Sequence, residues 1–415
     1  MRIIYITSSM PYGARETFII SEVEEVRKQG HEVLIVPMHP RGPVVHTDAK
    51  PLLECATSQP LLSPRIAKGA AEVFVRAPVR TFRALSWSLR SRSAKVLLKN
   101  LAVYPKGLWL ARLAREWKAD HIHAHWAATT ATMALVASEF SGISWSCTAH
   151  AWDITDWQSG RAQRRGNDSL LSLKISRSCF VRFISRVGRR EAEHPNLGAS
   201  MDSRSFVLHM GVAIPDLTGV RPPNGRRRHP IILCPAALIP FKGHRYLIEA
   251  AYVLSERGVG FELWLAGAGE LEDELRKQVE ALDPAGNVRF LGQLAHQEVI
   301  GFYRRGEVDI VVLPSLDMGG GEHEGIPVSL MEALSYGVPV VSTSTGGIPE
   351  LLGGGAGVMV PPADTAGLAE AIGSLIQDPG LREQQGDAGR ERVEESFSLE
   401  KVAGELIARF EACAR

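Results

Sequence analysis

Two carboxylates eight residues apart, Glu324 and Glu332, bracket the segment EGIPVSLME, whose middle reads as the start of a helix. A helix N-terminus carries backbone N–H groups without intrahelical acceptors and a partial positive charge, which together seat an anion. Gly325 has no side chain to hold a ligand off the backbone. Beyond Ile326, Pro327 lacks an N–H and fits the first turn, leaving the Val328 and Ser329 amides to face the anion. Glu324 falls in the loop before the helix and Glu332 about two turns in, so one ligand could be gripped at both ends. Sugar hydroxyls are natural partners for such acids. Lys242, in FKGH ahead of another helical pattern, is a candidate phosphate cation, and His150 in SCTAHAWD ends an apolar strand. Taken singly, these would be a loop acid, a helix-surface acid, a solvated lysine and a core or strand-capping histidine. Asp153 fits either an orienting partner of His150 or a turn cap.

The elements that must position these groups alternate strand and helix, the pattern of parallel sheets with crossover helices. Strands are expected at 3–7, 32–37, 120–125, 144–150, 180–184 and 206–209, then at 231–235, 261–266, 288–291, 308–313 and 338–342. Helical periodicity marks 17–29, closed by Gly30, and 244–257, 271–282 and 399–414. The stretch RPPNGRRRHP at 221–230 has the Pro, Gly and charge density of a linker. Two doubly wound α/β domains are therefore expected. Ligands of such sheets bind beyond the carboxyl ends of the strands, so facing domains would form a cleft holding the site.

From 231 to 352 the chain carries LIPFKGHRYLIEA, LWLAGAGE, VRFLG, VDIVVLPS, EGIPVSLMEALSYGVPVVS and GGIPELL in order. This series resembles the retaining GT-B glycosyltransferases of family 4 (group 1). ETFIISEVEEV and SLDMGGGEHEGIP resemble their bacterial exopolysaccharide branch, colanic acid and amylovoran-like. The resemblance spans nearly the whole chain. It implies a GT-B fold of two Rossmann-like domains: an acceptor-binding domain at 1–218, a nucleotide-sugar-binding domain at 219–396, and a helix at 397–415 crossing back to the first. The implied reaction moves a sugar from a nucleoside-diphosphate sugar to a glycan or polyprenyl-linked acceptor.

By the same resemblance, Glu324 contacts donor-sugar hydroxyls, Glu332 the ribose and Lys242 the diphosphate, while His150 closes the first-domain side. Leu291 and Gly292 lie where the base would rest. No metal is implied at the catalytic centre, and no cofactor beyond the donor. In the loop SSMPYGARET, Gly13, Arg15 and Glu16 are acceptor-site candidates. One position departs from the family pattern: Ala237 stands where an Arg usually precedes the Lys by five residues. His244 or a first-domain arginine would have to compensate, or activity would be low or absent. Alternatives are a GT-B phosphorylase, a nucleotide-sugar epimerase and a degenerate sugar-nucleotide-binding subunit.

Composition sets the remaining bounds. With 415 residues, 45% hydrophobic and 22% charged, two or three globular domains are expected. No apolar run approaches a membrane span, and residues 1–7 lack the core of a signal peptide, so a cytoplasmic location is expected. Cys55, Cys147, Cys179, Cys234 and Cys413 form no CxxC pair and are expected to be reduced thiols. Residues 1–215 hold 29 Lys/Arg against 17 Asp/Glu, and residues 216–415 hold 18 against 29. Much of the basic excess lies at 65–118, interleaved with Phe74, Phe82, Trp87, Trp109 and Trp117. That pattern fits peripheral contact with an anionic membrane at its inner face, and equally a solvated helical face; without a binding module, nucleic acid is not expected. His121, His123 and His125 share one strand face but lack a nearby carboxylate or Cys, so zinc is not expected. GAGE at 267–270 is followed by Glu272 where a dinucleotide loop has its last glycine, which disfavours a nicotinamide cofactor.

Overall fold

Alternate residues of the apolar runs face opposite sides of two parallel sheets, and each side is covered by helices. The computed structural model describes residues 1–13, 16–44, 47–91, 94–150, 153, 170–193, 198–218, 229–282, 286–319 and 323–414. Two units are distinguished: Met1–Gly211 with Leu399–Arg415, and Val212–Ser398. The first unit ends at Gly211 rather than at 218. The two chain crossings run together there, with the Val212 N–H donating to the Phe397 carbonyl at 2.9 Å.

In the first unit, β1 (Arg2–Thr7), β2 (Glu32–Pro37), β3 (His121–His125), β4 (Ser144–Ala149), β5 (Phe180–Phe183) and β6 (Ser205–Val207) are ordered β2-β1-β3-β4-β5-β6. In the second, β7 (Ile231–Pro235), β8 (Glu262–Ala266), β9 (Val288–Gly292), β10 (Ile310–Leu313), β11 (Val340–Thr343) and β12 (Val358–Val360) are ordered β12-β11-β10-β7-β8-β9. All these pairings are parallel. Each order reverses beside its first strand, between β1 and β3 and between β7 and β10. Loops leaving adjacent strands diverge at such a point and open a crevice at the carboxyl ends. Strand β12 had no counterpart among the expected strands, because three residues next to Gly357 carry almost no periodicity.

Period-2 alternation divides the first unit's interior. Ile4, Ile6, Ile122 and Ala124 enter one core with helices Ala94–Glu116 and Thr129–Ser141, while Ile3, Tyr5, Val33 and Ile35 enter the other. Helix Leu399–Ala414 covers that second face, burying Leu399, Val402, Ala403, Leu406, Ile407 and Phe410 at helical spacing. The Phe410 ring lies 4.9 Å from that of His121 and 5.1 Å from that of His123. The second unit has its own core, built from residues such as Ile232, Leu247, Leu263, Ile310 and Ile372.

Two expectations are corrected here. Cys179 and Cys413 form a disulfide, whereas Cys55, Cys147 and Cys234 are free. The partners lie 234 residues apart and meet only because the last helix packs beside β5, so sequence spacing carried no sign of them. In the basic segment, Trp87 and Trp109 are core residues, leaving Phe74 and Phe82 as its exposed aromatics.

Because Phe410 is fully buried against the strand face, Phe410→Ala should lower the unfolding free energy of the first unit by about 3–5 kcal/mol in denaturant titrations. A loss below about 1 kcal/mol would show that the last helix contributes little to this core.

Candidate functional site

The second unit gathers its polar groups at the β7/β10 switch point. After β7 the chain makes a short 3-10 turn, Pro240–Lys242, before helix His244–Glu256. Between them Gly243 adopts φ +71° and passes so close to the loop after β10 that a Cβ would lie 1.9 Å from the Pro314 carbonyl oxygen. The two loops are also joined by the Leu316 N–H, which donates to the Phe241 carbonyl at 2.7 Å. This brings Lys242 onto Glu324 in an ion pair, and the Ser315 hydroxyl donates to the same Glu324 oxygen at 3.1 Å. Glu324 is buried.

The loop bearing Glu324 is clamped from below. The Gly347 N–H approaches the carbonyls of Glu324 and Gly325, at 3.2 and 2.9 Å. His323 Nδ1 donates to the Glu324 carbonyl at 2.8 Å. Gly346, with φ +52°, passes so near that a Cβ would sit 2.0 Å from that same carbonyl oxygen. The helix after this loop spans Val328–Ser335, and Pro327 occupies its N-cap rather than its first turn. The Pro327 carbonyl accepts from Leu330 and Met331, and the Val328 and Ser329 N–H groups have no intrahelical acceptor. Ile326 is buried and anchors the turn. Glu332 lies on this helix and meets His296 Nε2 at 2.7 Å. Leu291 and Gly292 close β9, where the register with β8 slips between Leu265 and Ala266.

Ala237 is exposed, and His244, at the start of the following helix, is buried. Burial, and then the charge of Lys242, lowers the His244 imidazole to about 4, so it is uncharged at neutral pH.

In the first unit, the loop after β1 is organised by Glu16. Its carboxylate accepts from the backbone N–H groups of Ser8, Ser9 and Met10 at 3.0, 2.7 and 2.9 Å and from Trp126 Nε1 at 2.6 Å. Those bonds occupy it as a loop organiser, which the sequence reading as an acceptor-site residue did not anticipate. Gly13 is tied by its N–H to the Pro43 carbonyl at 2.9 Å, and Arg15 lies outside the described residues. His150 follows β4, with its backbone N–H held by Asp153 at 2.8 Å; Asp153 also accepts from the Ala127 N–H. Asp153 is thus a cap for two loops.

Behind His150 runs a buried polar ladder. His121 bonds the hydroxyls of Ser144 and Ser146 at 2.8 and 2.7 Å, and His123 those of Ser146 and Thr148 at 2.8 and 2.9 Å. His125 meets His150 Nε2 at 3.0 Å and Glu22 at 3.2 Å, and Arg182 donates to the other Glu22 oxygen at 2.6 Å. Burial would raise the Glu22 carboxyl, but Arg182 and then His125 outweigh it and hold the group far below the ordinary carboxylate range. Burial lowers His121 to about 3 and is the main cause that pushes His150 well below its usual value. Glu22, His123 and His125 present ligand atoms within 4.8 Å of one another, but the Arg182 charge on Glu22 opposes a cation there. Sequence periodicity placed the histidines on one face; Glu22, Arg182, Ser315 and His296 carried no local signal.

This arrangement defines a two-unit α/β protein with a helix N-terminus and an acid–lysine pair at one switch point. The group 1 glycosyl transferase family model matches residues 221–392, and a glycosyl transferase 4-like domain matches residues 16–200. Corynebacterium glutamicum has a GDP-mannose-dependent monoacylated alpha-(1-6)-phosphatidylinositol monomannoside mannosyltransferase that is 30% identical over 308 residues, covering 72% of this chain and 77% of the relative. The putative colanic acid biosynthesis glycosyltransferase WcaL of Escherichia coli is 35% identical over 183 residues, covering 44% of this chain and 45% of the relative. Among solved structures, Anabaena Alr3699/HepE in complex with UDP superposes with a TM-score of 0.69 at 17% identity, covering 99% of this chain and 100% of that one. The chain belongs to the group 1 glycosyltransferases, has the GT-B fold and is a hexosyltransferase-type enzyme.

The clamp under Glu324 can be tested with two glycines of like φ. Gly346→Ala should destabilise the second unit by more than about 1 kcal/mol beyond Gly354→Ala, since Gly354 has φ +79° and nothing within 4 Å of its would-be Cβ. Equal losses in denaturant titrations would show that the contact with the Glu324 loop is not tight.

Proposed function

We propose that this enzyme transfers a sugar from a nucleoside-diphosphate sugar to a hydroxyl of a glycan or lipid-linked acceptor, with retention at the anomeric carbon. The Lys242–Glu324 pair beside the Val328–Ser335 helix end supports this reading most directly. Lys242 and the Val328 and Ser329 amides would hold the diphosphate, Glu324 a donor-sugar hydroxyl, Glu332 the ribose, and the backbone near Leu291 and Gly292 the base. His150 is the substrate-facing histidine of the first unit. As the bond from the anomeric carbon to the diphosphate oxygen breaks, negative charge grows on that oxygen, where a preorganised cation and helix end stabilise it. The acceptor hydroxyl attacks on the same face and its proton passes to the leaving phosphate, so no separate base and no metal ion are required.

The relatives' names motivate exopolysaccharide or cell-surface glycan assembly, with GDP- and UDP-sugars as the first donors to screen; ADP-sugars complete the screen, and the assembly is proposed to take place in the cytoplasm. Glu332→Ala and Lys242→Ala should each abolish transfer while leaving the thermal transition in place. Unchanged turnover in both variants would reject these roles. Ala237 and the uncharged His244 favour a second reading, a non-catalytic sugar-nucleotide binder. Tight donor binding with neither hydrolysis nor transfer would establish it.

A lipid-linked acceptor calls for a membrane-facing surface. No helix among the described residues is long and apolar enough to cross a membrane. Helices Pro64–Arg76 and Pro78–Leu85 instead expose Val75 (77%), Val79 (81%) and Phe82 (61%), with Phe74 edge-to-face on Phe82 at 5.5 Å. Arg76, Arg80, Arg83 and Arg90 lie in the same helices or the turn that follows, with Arg80 and Arg83 paired to Glu139, and basic charge near exposed apolar groups complements an anionic lipid surface. The protein should sediment with phosphatidylglycerol-containing vesicles at low salt, and the double substitution Val75→Asp, Val79→Asp should release it. An absence of vesicle binding by the unsubstituted protein removes this surface from the proposal.

A further inference from the structure

The chain of hydrogen bonds behind His150 has no part in the proposed transfer step, yet it ends on Nε2 of that imidazole and does not involve Nδ1. Arg182 anchors it. Its Nε donates to the Leu208 carbonyl at 2.8 Å and its Nη2 to the His209 carbonyl at 2.6 Å, so the remaining arm is aimed at Glu22. Glu22 is fully inside the unit, and its other oxygen faces His125 Nε2. The His125 ring is stacked on Tyr5 at 5.8 Å, while the His150 ring is packed by Trp126 at 4.5 Å and Phe18 at 5.0 Å. Neither imidazole is free to turn over.

We propose that the Glu22–Arg182 pair, acting through His125, fixes which nitrogen of His150 carries the proton, which makes Glu22 and His125 positioning residues. An ionised carboxylate only accepts hydrogen bonds, so the proton in the Glu22 contact belongs to His125 Nε2. A neutral His125 leaves the buried Glu22–Arg182 pair without net charge, whereas a protonated one would bury an uncompensated cation. With Nε2 of His125 protonated, its Nδ1 carries a lone pair. The 3.0 Å contact from that nitrogen then requires the hydrogen to sit on His150 Nε2. His150 is thereby held as the Nε2–H tautomer, with Nδ1 as a hydrogen-bond acceptor.

Neighbouring titratable groups are engaged elsewhere. His123 is bonded to Ser146 and Thr148, Asp153 accepts from the backbone at Ala127 and His150, and Lys174 donates to the Ala127 and Ala128 carbonyls. The relay rests on the reading of His150 as the substrate-facing histidine, but its test does not require turnover.

Long-range proton–nitrogen correlation spectra of protein labelled with 15N-histidine report the tautomer of each imidazole, and His150→Gln assigns the resonance. The expected spectrum has a pyrrole-type shift at Nε2 and a pyridine-type shift at Nδ1 of His150. In Glu22→Gln the new amide can donate to His125 Nε2, reversing His125, so the two His150 shifts should exchange or average. Unchanged His121 and His123 signals report that the unit remains folded. Where Glu22→Gln does not fold, His125→Asn breaks the chain while leaving Glu22 and Arg182 paired, and should turn His150 into a tautomer mixture. An Nδ1–H signature in the unsubstituted protein, or a His150 pattern indifferent to whichever variant folds, overturns the proposal. A protein showing the expected tautomers but no sugar transfer would retain the relay and lose the proposed function instead.

Discussion

The ion pair between Lys242 and Glu324 ties together the two loops at the β7/β10 switch point, and the proposed donor site is built around it. Lys242 ends the short 3-10 turn after β7, and Glu324 lies in the loop after β10. They meet because β7 and β10 are adjacent in the sheet although far apart in the chain. Gly243 lets one loop lie directly on the other, and the Gly346–Gly347 turn supports the second from beneath. A partly buried pair of this kind adds little net stability once desolvation is counted. Its significance is positional: two opposite charges hold each other where a helix end offers unpaired amides.

The first unit confronts a different constraint. Its second core contains a strand face lined by three histidines, a glutamate and an arginine, all inside the unit. Such groups are tolerated in a protein interior only when fully hydrogen-bonded and charge-balanced. The serine and threonine hydroxyls of β4 match the histidines of β3 across the parallel register, His123 opposite Ser146 and His125 opposite Thr148. Arg182 on β5 and Glu22 on the first helix complete the balance. The last helix then seals this face with Phe410, which is why the chain's final segment belongs structurally with its beginning.

Charge is distributed unevenly between the two units, and the structure divides the basic segment into two parts of different character. Trp87 and Trp109 fill the core, while Phe74, Val75, Val79 and Phe82 face outward. A sequence window reports only that aromatic and basic residues alternate. Whether a given ring points inward depends on which face of each helix the sheet covers, and that choice separated Trp87 and Trp109 from Phe74 and Phe82.

Much of the architecture was legible in the sequence. Apolar strands separated by amphipathic helices require parallel sheets, and their periodicity located eleven of the twelve strands to within two residues at either end. The residues of the EGIPVSLME and FKGH segments also announced the starts of helices Val328–Ser335 and His244–Glu256, because such signals are local to a few consecutive residues. What only the tertiary structure decided were partnerships across long separations: Lys242 with Glu324, Glu332 with His296, Cys179 with Cys413, and Glu22 with Arg182 and His125. Strand order and helix docking set those pairs, and no short stretch of residue types encodes them. A side chain's chemistry is written at its own position, but the protonation state and partner that put it to use belong to whatever the fold places beside it.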